Sequence, residues 1–250
     1  MKKWIPVLCA LCLLFNGCVQ IDAGKMASAA MELGMAASIS AEELQDVSRQ
    51  MRVEGDSKAQ VAGSNSKYTT RLNRLLRNHT QVNGIPLNYK VYLTSTVNAN
   101  ASADGSIRVY SGLMDLMDDN ELLYVIGHEI GHVANGDSLK AMRVAYTSSA
   151  ARKGVGSLAP SAAALSESFL GDLLETVINS QYSQNQELDA DDFAMRFMQE
   201  NGYDARGTVS ALRKLEQLSS GGGGFFSSHP DSGKRAARME QALQNYTPPK

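Results

Sequence analysis

Hydrophobic residues recur at two different spacings along the chain, and each spacing predicts a different local structure. Leu72, Leu75 and Leu76 recur at helical spacing among polar residues, which predicts an amphipathic helix within residues 64–80. Residues 88–95 instead alternate between apolar and polar side chains, which predicts a half-buried strand. The chain therefore combines helical and extended segments.

Capping and turn residues divide most of the remaining chain into further elements. Ser40 and Glu43 fit a capping box, which predicts a helix that begins after Ser40. The sum is an α+β domain, mostly helical with a small β-sheet. Similar signals predict a short strand over residues 107–110, helices over about 120–136, 167–181, 184–201 and 205–218, a last helix after Pro230, and loops over 153–164 and 219–224.

Residues 1–17 resemble a secretory signal peptide. Lys2 and Lys3 precede an apolar run, residues 4–15, that is too short to span a bilayer. The four residues that end at Cys18 resemble a bacterial lipobox, in which the cysteine is lipidated and becomes the first mature residue. The alternative is ordinary cleavage after an A-x-A-like site that ends at Ala29.

The lipobox interpretation divides the chain into three parts. A signal peptide is followed by a lipidated N-terminus and tether over residues 18–39, and by a folded domain over residues 40–250. Val19 follows the cysteine, in place of the Asp that commonly signals inner-membrane retention. We therefore expect a lipid anchor in the outer membrane, with the domain facing the periplasm.

Composition and charge are those of a globular domain and indicate neither a disulfide-rich protein nor a nucleic-acid-binding protein. The chain contains 43% hydrophobic and 20% charged residues, which is typical of a globular domain. All three cysteines lie at or before the predicted cleavage point, so the mature domain is predicted to have no disulfide although it is exported. Removal of Lys2 and Lys3 leaves 22 of the 24 basic residues against 26 acidic residues, a formal charge of −4. Nothing in this balance indicates a nucleic-acid partner.

His128-Glu129-Ile130-Gly131-His132 forms an H-E-x-x-H motif inside an apolar predicted helix. Positions i and i+4 lie on one face of a helix, so both imidazoles can bind the same metal ion. Glu129 lies about 100° around the helix axis, where it can take a proton from water but is less suited to bind the ion. Burial of these polar groups in an apolar helix would be costly unless a metal satisfied them. We predict one zinc ion per chain, with Glu129 as the general base.

Zinc requires a third protein ligand, and the extended H-E-x-x-H-x-x-G-x-x-H pattern is absent. Glu187 is the candidate that we select. Asp191 lies four residues further along the same helical face, where it can orient a ligating histidine. Ala190 and Ala194 are small enough to let this helix approach the histidine helix closely. The alternative for Glu187 is a solvated helix start, where the helix dipole favours acidic residues.

His229 has more than one candidate role. It follows a Gly-rich segment and precedes Pro230, so it can be an ordinary loop residue before a helix. It can also donate a hydrogen bond to the oxyanion that develops at a scissile carbonyl. A fourth metal ligand, for which His229 and Asp137 are the candidates, would make the site closed and structural. His79 lies at the polar end of a predicted helix, and we expect it at the surface without a role.

The order of these motifs resembles metallopeptidase family 48, which includes the CAAX prenyl endopeptidases and the heat-shock protease HtpX. The resemblance covers about residues 60–240. It is carried by the H-E-x-x-H motif, Glu187 to Asp191, His229-Pro230 with Arg235, Asn98-Ala99-Asn100-Ala101, Gly105, and Val109-Tyr110-Ser111-Gly112-Leu113.

The resemblance implies a gluzincin-type zincin site. Its ligands would be His128, His132 and Glu187, Glu129 would be the base and proton shuttle, Asp191 would hold a ligating histidine, and His229 would assist the transition state. The segment Asn98, Ala99, Asn100 and Ala101 would form an edge strand that pairs with the substrate backbone. Asp137 departs from the family, since many members have another histidine there.

The sequence thus predicts a zinc-dependent endopeptidase of the bacterial cell envelope that cleaves protein or peptide substrates in envelope protein quality control. Three protein ligands leave the fourth zinc position open, which favours catalysis. The alternative is an envelope scaffold or chaperone-like lipoprotein with a structural zinc site.

Overall fold

The computed structural model describes residues 39–152, 165–218 and 228–249. The predicted signal peptide, the lipobox, nearly all of the tether, and the predicted loops over 153–164 and 219–224 lie outside the described residues. Within the described ranges, no helix combines the length and the apolar character that a membrane crossing requires.

The described residues fold into helices around a small sheet, which confirms the predicted α+β class. The helices are α1 (Ala41–Lys58), α2 (Lys67–Leu76), α3 (Ser111–Leu116), α4 (Asp119–Ala134), α5 (Asp137–Arg152), α6 (Glu167–Ile178), α7 (Gln184–Glu200), α8 (Arg206–Leu218) and α9 (Ser232–Ala242). The strands are β1 (Gln81–Val82), β2 (Ile85–Pro86), β3 (Asn88–Tyr92), β4 (Ala99–Ala101) and β5 (Ser106–Tyr110).

The main sheet has three strands in the order β3-β5-β4, with β5 in the centre. β3 runs parallel to β5, with Val91 opposite Val109, and β4 runs antiparallel to β5, with Asn100 opposite Arg108. A separate hairpin joins β1 to β2 through Asn83 and Gly84, whose φ angles are 49° and 80°. Two consecutive positive φ angles are typical of an Asn-Gly pair in a two-residue hairpin turn.

Helix α4, which carries the H-E-x-x-H motif, lies in the centre of the domain. Asp118 and Glu121 form a capping box that fixes its first turn. Every residue from Glu121 to Val133 is buried, because the sheet, α7 and α8 cover different sides of the helix. An apolar helix without a polar face has to be enclosed in this way.

Helices α4 and α7 approach each other closely because their facing residues are small. A Cβ atom added at Gly131 would lie 3.1 Å from both the Cα and the carbonyl oxygen of Ala190. At Gly127, one turn earlier, an added Cβ would lie 2.8 Å from Cδ1 of Phe197. The predicted role of Ala190 is confirmed, and the close approach brings the start of α7 next to both histidines of α4.

A second apolar cluster joins α1, α5 and α6. It contains Leu44, Val47, Met51, Met142, Ala145, Tyr146, Phe169, Leu170 and Leu173. This cluster lies beside the core around α4. Helix α5 follows α4 along the chain and contributes to this second cluster.

The structure differs from the sequence prediction in several elements. The predicted strand over 88–95 ends at Tyr92, because Leu93 donates its backbone N–H to Gln60 and leaves the sheet. The predicted helix over 64–80 is only α2 and ends at Leu76. Residues 137–152, for which no element is predicted, form α5.

Candidate metal centre

Three separate parts of the chain bring their functional side chains to one point inside the domain. His128, Glu129 and His132 lie on α4, and Glu187 lies in the first turn of α7. Ser183 and Gln186 form a capping box at the start of α7, so the predicted helix start is confirmed. His229 lies immediately before α9. All of these site residues are almost completely buried.

The donor atoms of His128, His132, Glu187 and His229 all lie within 4.8 Å of one another. The two histidine Nε2 atoms of α4 are 3.1 Å apart, and Glu187 places its oxygens 3.5 Å and 3.3 Å from them. Donors at about 2.0–2.1 Å from a tetrahedral zinc ion lie roughly 3.3 Å from one another. The observed separations therefore fit a single small metal ion.

Each ligand-type histidine of α4 is held by a carboxylate at its other ring nitrogen. Nδ1 of His128 lies 2.9 Å from Oδ1 of Asp191, and Nδ1 of His132 lies 3.0 Å from Oδ2 of Asp137. An ionised carboxylate only accepts hydrogen bonds, so we assign the proton of each neutral ring to Nδ1. Both Nε2 lone pairs then face each other and the carboxylate of Glu187. A histidine that binds a metal through one ring nitrogen commonly donates its other ring N–H to a carboxylate in this way.

Arg235 of α9 connects the carboxylates of Glu187 and Asp191 on α7. It donates to Oε2 of Glu187 from Nη1, and to both oxygens of Asp191 at 2.6 Å and 2.8 Å. Tyr124 donates its hydroxyl to Asp191 at 2.6 Å. One oxygen of Glu187 is thereby held by Arg235, while Oε1 lies towards the imidazoles of His132 and His229.

The charges of the site favour the ionised forms of His128 and Glu187. Burial and the Arg235 guanidinium lower the pKa of His128, but the carboxylates of Glu187 and Asp191 outweigh them and raise it to about 9. Burial raises the pKa of Glu187, yet the imidazoles of His229 and His128 hold it far below its ordinary value. The pocket thus stabilises a positive charge between its carboxylates.

Glu129 differs from every other carboxylate of the site in its hydrogen bonding. Neither of its oxygens accepts a hydrogen bond from the residues that the structure describes, although the side chain is only 1% exposed. Its Oε1 lies 3.3 Å from Nε2 of His229. A buried carboxylate without a hydrogen-bond donor is costly, so Glu129 is suited to interact with a group that the protein itself does not supply.

His229 lies inside the cluster, in contact with its donor atoms. Its Nδ1 is 3.2 Å from Nε2 of His128 and 3.0 Å from Oε1 of Glu187, while its Nε2 faces Glu129. The Tyr182 ring stacks on His132 with a centroid separation of 3.8 Å, and the backbone N–H of Tyr182 donates to Ser228. The segments before α7 and before α9 therefore cover the site together.

The segment from Asn98 to Ala101 lies at the edge of the sheet beside α4. Strand β4 is the outer strand of the order β3-β5-β4, and the side chains of Ala99 and Ala101 are buried in the core that surrounds α4. Backbone groups of alternate residues in an antiparallel pair bond to the partner strand. Because Asn98 and Ser102 bond to β5, the peptide groups around Ala101 point outwards.

Several residues of the site were not assigned a role by the sequence. Tyr124 and Tyr182 have no motif spacing that points to a metal. Arg235 belongs to the resemblance but has no predicted function there, and Asp137 is suspected only as a fourth ligand. In the structure Asp137 orients His132 and accepts a hydrogen bond from Gln186 at 2.7 Å. His79 is half-buried, with Nε2 2.8 Å from the Tyr203 hydroxyl, and lies outside this cluster.

Two imidazoles and a carboxylate lie on adjoining helices, a second carboxylate lies beside them, and an edge strand lies next to the helix. Together these features define a metal-dependent peptidase. Residues 66–243 match Peptidase family M48, and the chain belongs to this family. It is 41% identical over 234 residues to Metalloprotease LoiP and 40% identical over 235 residues to Metalloprotease YcaL, both of Escherichia coli strain K12, with 92% of each chain covered. It is also 29% identical over 201 residues to a Protease HtpX homolog of Paenarthrobacter aurescens strain TC1, covering 61% of this chain and 65% of that protein.

Proposed function

We propose that the chain is a zinc-dependent endopeptidase in which His128, His132 and Glu187 hold the ion and Glu129 is the general base. One observation carries this proposal: the Nε2 atoms of His128 and His132 lie 3.1 Å apart, and the two oxygens of Glu187 lie 3.5 Å from the first and 3.3 Å from the second, which are separations that fit ligands of one tetrahedral ion. The carboxylates on both Nδ1 atoms and the two relatives named metalloproteases support it.

Each residue of the site has its own role in hydrolysis, which follows from its position. When bound, the ion would polarise the scissile carbonyl and lower the pKa of water in the site. Glu129 takes the proton of the attacking water, because its buried oxygens have no other donor among the described residues. The same carboxylate then passes the proton to the leaving amine. Asp191, Asp137 and Arg235 keep the ligands oriented throughout.

The substrate backbone is proposed to pair with β4. The outward peptide groups around Ala101 offer an extended peptide the hydrogen bonds of one more strand. Pairing there places the peptide beside α4, since Ala99 and Ala101 pack against the same core as that helix. The interaction is made with the substrate main chain, so this part of the site accepts many sequences, and side-chain preference would arise elsewhere.

A second candidate function is favoured by the position of His229. Its Nδ1 atom lies among the three other donors at the spacing of a fourth ligand. A site with four protein ligands is closed, as in a structural zinc site of an envelope scaffold or chaperone-like protein. The proposed peptidase requires instead that His229 withdraw from this position and donate from Nε2 to the developing oxyanion.

Zinc content and peptide hydrolysis, measured together, test the proposed function and the role of His229. The wild-type protein should hydrolyse a casein or peptide substrate, lose this activity with a chelator, and regain it with zinc. His229→Ala should keep its zinc and lose about 10²–10³ in kcat with little change in KM, because one oxyanion donor is removed.

The other outcomes decide between the alternatives. Loss of zinc in His229→Ala would establish His229 as a required fourth ligand and support the closed site. A faster variant would show that His229 blocks the metal in the resting protein. If zinc is present at one ion per chain and neither protein cleaves any substrate, the endopeptidase proposal is wrong.

We further propose that the protein acts in the cell envelope, held by a lipid on Cys18 at the periplasmic face of the outer membrane, in protein quality control. Support for this comes from the sequence: the short apolar h-region, the cysteine that ends it, and Val19 after the cysteine. A lipid anchor would keep the peptidase near envelope proteins without a membrane-spanning helix.

Cys18→Ala should abolish incorporation of radiolabelled fatty acid and release the protein from the membrane fraction. Cys9→Ala and Cys12→Ala are the matched controls, because both cysteines lie within the predicted signal peptide and should leave labelling unchanged. Label that persists in Cys18→Ala would exclude the lipobox. A processed protein that begins after Ala29 would support ordinary secretion.

A further inference from the structure

A cavity of about 330 Å³ lies between α1 and the face of the sheet that is turned away from α4. Its lining comes from one side of α1 and from the polar residues of β3 and β5. Four of the lining side chains are basic, namely Arg49, Arg52, Lys90 and Arg108, and two are acidic, namely Asp56 and Asp104. The proposed peptidase mechanism uses none of these residues.

The two carboxylates of the cavity are already fully engaged. Asp56 accepts hydrogen bonds from Nε and Nη2 of Arg108 at 2.7 Å and 2.9 Å, from Lys90 at 2.7 Å and from the Tyr92 hydroxyl at 2.7 Å. Burial raises the pKa of Asp56, but these donors outweigh it and lower the pKa to about 2. Asp104 accepts from the hydroxyls of Ser48 and Ser106 instead.

Arg52 is a buried cation that donates a hydrogen bond to neither of these carboxylates. Its side chain is 2% exposed, and it donates only to neutral oxygens, from Nε to Ser102 and from Nη2 to Asn100 at 2.5 Å. Its Nη1 has no hydrogen-bond partner among the described residues, and no carboxylate there forms an ion pair with it. Burial and the neighbouring Arg108 guanidinium lower the pKa of Arg52 and outweigh the opposing effect of the Asp104 carboxylate, so the position disfavours positive charge.

The charges of the cavity identify the kind of ligand that would compensate Arg52. Four basic and two acidic side chains leave a formal excess of two positive charges. Asp46 offsets one of them, since it pairs with Arg49 at the exposed rim at 2.6 Å. One positive charge remains in excess, and Arg52 is the lining cation whose Nη1 has no hydrogen-bond partner among the described residues. Buried charges in proteins are normally paired, so an anion in the cavity would supply the missing partner.

We propose that this cavity is a binding site for a phosphate group. The basic groups approach from different directions, Arg49 and Arg52 from α1 and Lys90 from β3, and a tetrahedral group offers oxygens to all of them. Val53, which is 66% exposed, and Pro86 make one side of the rim apolar, and an organic substituent of the phosphate can extend out of the cavity on that side. A lipid headgroup and free phosphate share this chemistry.

Calorimetric titration and thermal unfolding of the full chain in neutral detergent micelles test the site. The probes are inorganic phosphate, with sodium chloride at equal ionic strength as the reference, and phosphatidylglycerol added to the micelles. Both the binding signal and the rise in Tm should depend on Arg52. Arg52→Gln should weaken affinity about tenfold or more, and Arg49→Gln and Lys90→Gln by a smaller factor, because each removes one charged donor.

Arg213→Gln is the matched control, because Arg213 is an exposed arginine of α8 that pairs with Glu216 and Glu240 away from the cavity. Its affinity should equal that of the wild type. Tighter binding of phosphatidylglycerol than of phosphate would identify a lipid headgroup as the ligand, and the reverse would identify free phosphate. The proposal is wrong if neither probe binds, or if the cavity variants bind as Arg213→Gln does. The Arg49 and Lys90 variants keep the test decisive if Arg52→Gln does not fold.

Discussion

Glu129→Gln should retain one zinc ion per chain and lose nearly all peptide hydrolysis. The substitution keeps the size of the side chain and replaces the carboxylate with a neutral amide that cannot take a proton. A positioned general base contributes about 10²–10⁴ in rate. Glu129 is proposed to act twice, first taking the proton of the attacking water and then protonating the leaving amine. We therefore expect kcat to fall by at least about 10³, with KM and zinc content near the wild-type values.

Burial makes this substitution informative about stability as well. The Glu129 oxygens are buried and accept no hydrogen bond from the described residues, so the neutral amide removes an uncompensated charge. The Tm of Glu129→Gln should consequently equal or exceed that of the wild type. Glu200→Gln is the matched control: it makes the same chemical change at an exposed position of α7 and should leave both activity and Tm unchanged.

Two results would contradict the role of Glu129. Turnover at the wild-type rate would show that another group accepts the proton. Loss of zinc together with activity would show that Glu129 belongs to the ligand set. Zinc analysis and hydrolysis must therefore be measured on the same preparation.

The helix that carries the chemistry could be predicted because its sequence signals agree. Apolar residues throughout, a capping residue before it and Asn135-Gly136 after it all place α4 at nearly its observed bounds. Glu187 is predictable for a related reason, since small residues at 190 and 194 allow the close approach that brings α7 to the histidines. Local sequence thus contains both the metal motif and the packing that completes it.

Helix α5 could not be predicted in the same way. Met142, Tyr146 and Ala150 recur every fourth residue and are buried, but Arg, Thr and Ser residues between them mask the period. Val144, which is 60% exposed, adds an apolar residue to the opposite face. Only the positions of α1 and α6 show which face of α5 belongs to the core.

Partners that come from distant parts of the chain are the other feature that the sequence did not predict. Arg235 reaches Glu187 and Asp191 across more than 40 residues, and no spacing rule connects a late arginine to an earlier pair of carboxylates. Asp137 is adjacent to the motif, yet a carboxylate there fits a ligand or an orienting residue equally well. Its 3.0 Å contact with Nδ1 of His132, away from Nε2, decides between the two roles.

Glu187→Ala should remove zinc from the protein and abolish hydrolysis. The substitution deletes the one carboxylate of the proposed ligand set and leaves two imidazoles, which cannot hold the ion in competition with a chelator. It also leaves Arg235 and the histidines without the charge that faces them. Removal of one partner from a buried ion pair costs about 3–5 kcal/mol, and the lost zinc removes its contribution to folding as well. The Tm should fall by many degrees.

Comparison with two neighbours on α7 separates these effects. Asp191→Ala should weaken zinc binding by only about 10–100-fold, because Asp191 orients His128 without touching the ion. Asp189→Ala removes an exposed carboxylate from the same helical turn and should change neither zinc affinity nor Tm. Competition with a zinc chelator gives the three affinities, and their order is the test. A Glu187→Ala protein that binds zinc as tightly as Asp189→Ala would mean that the third ligand lies elsewhere, and the 3.0 Å contact of His229 with Glu187 makes His229 the next residue to examine.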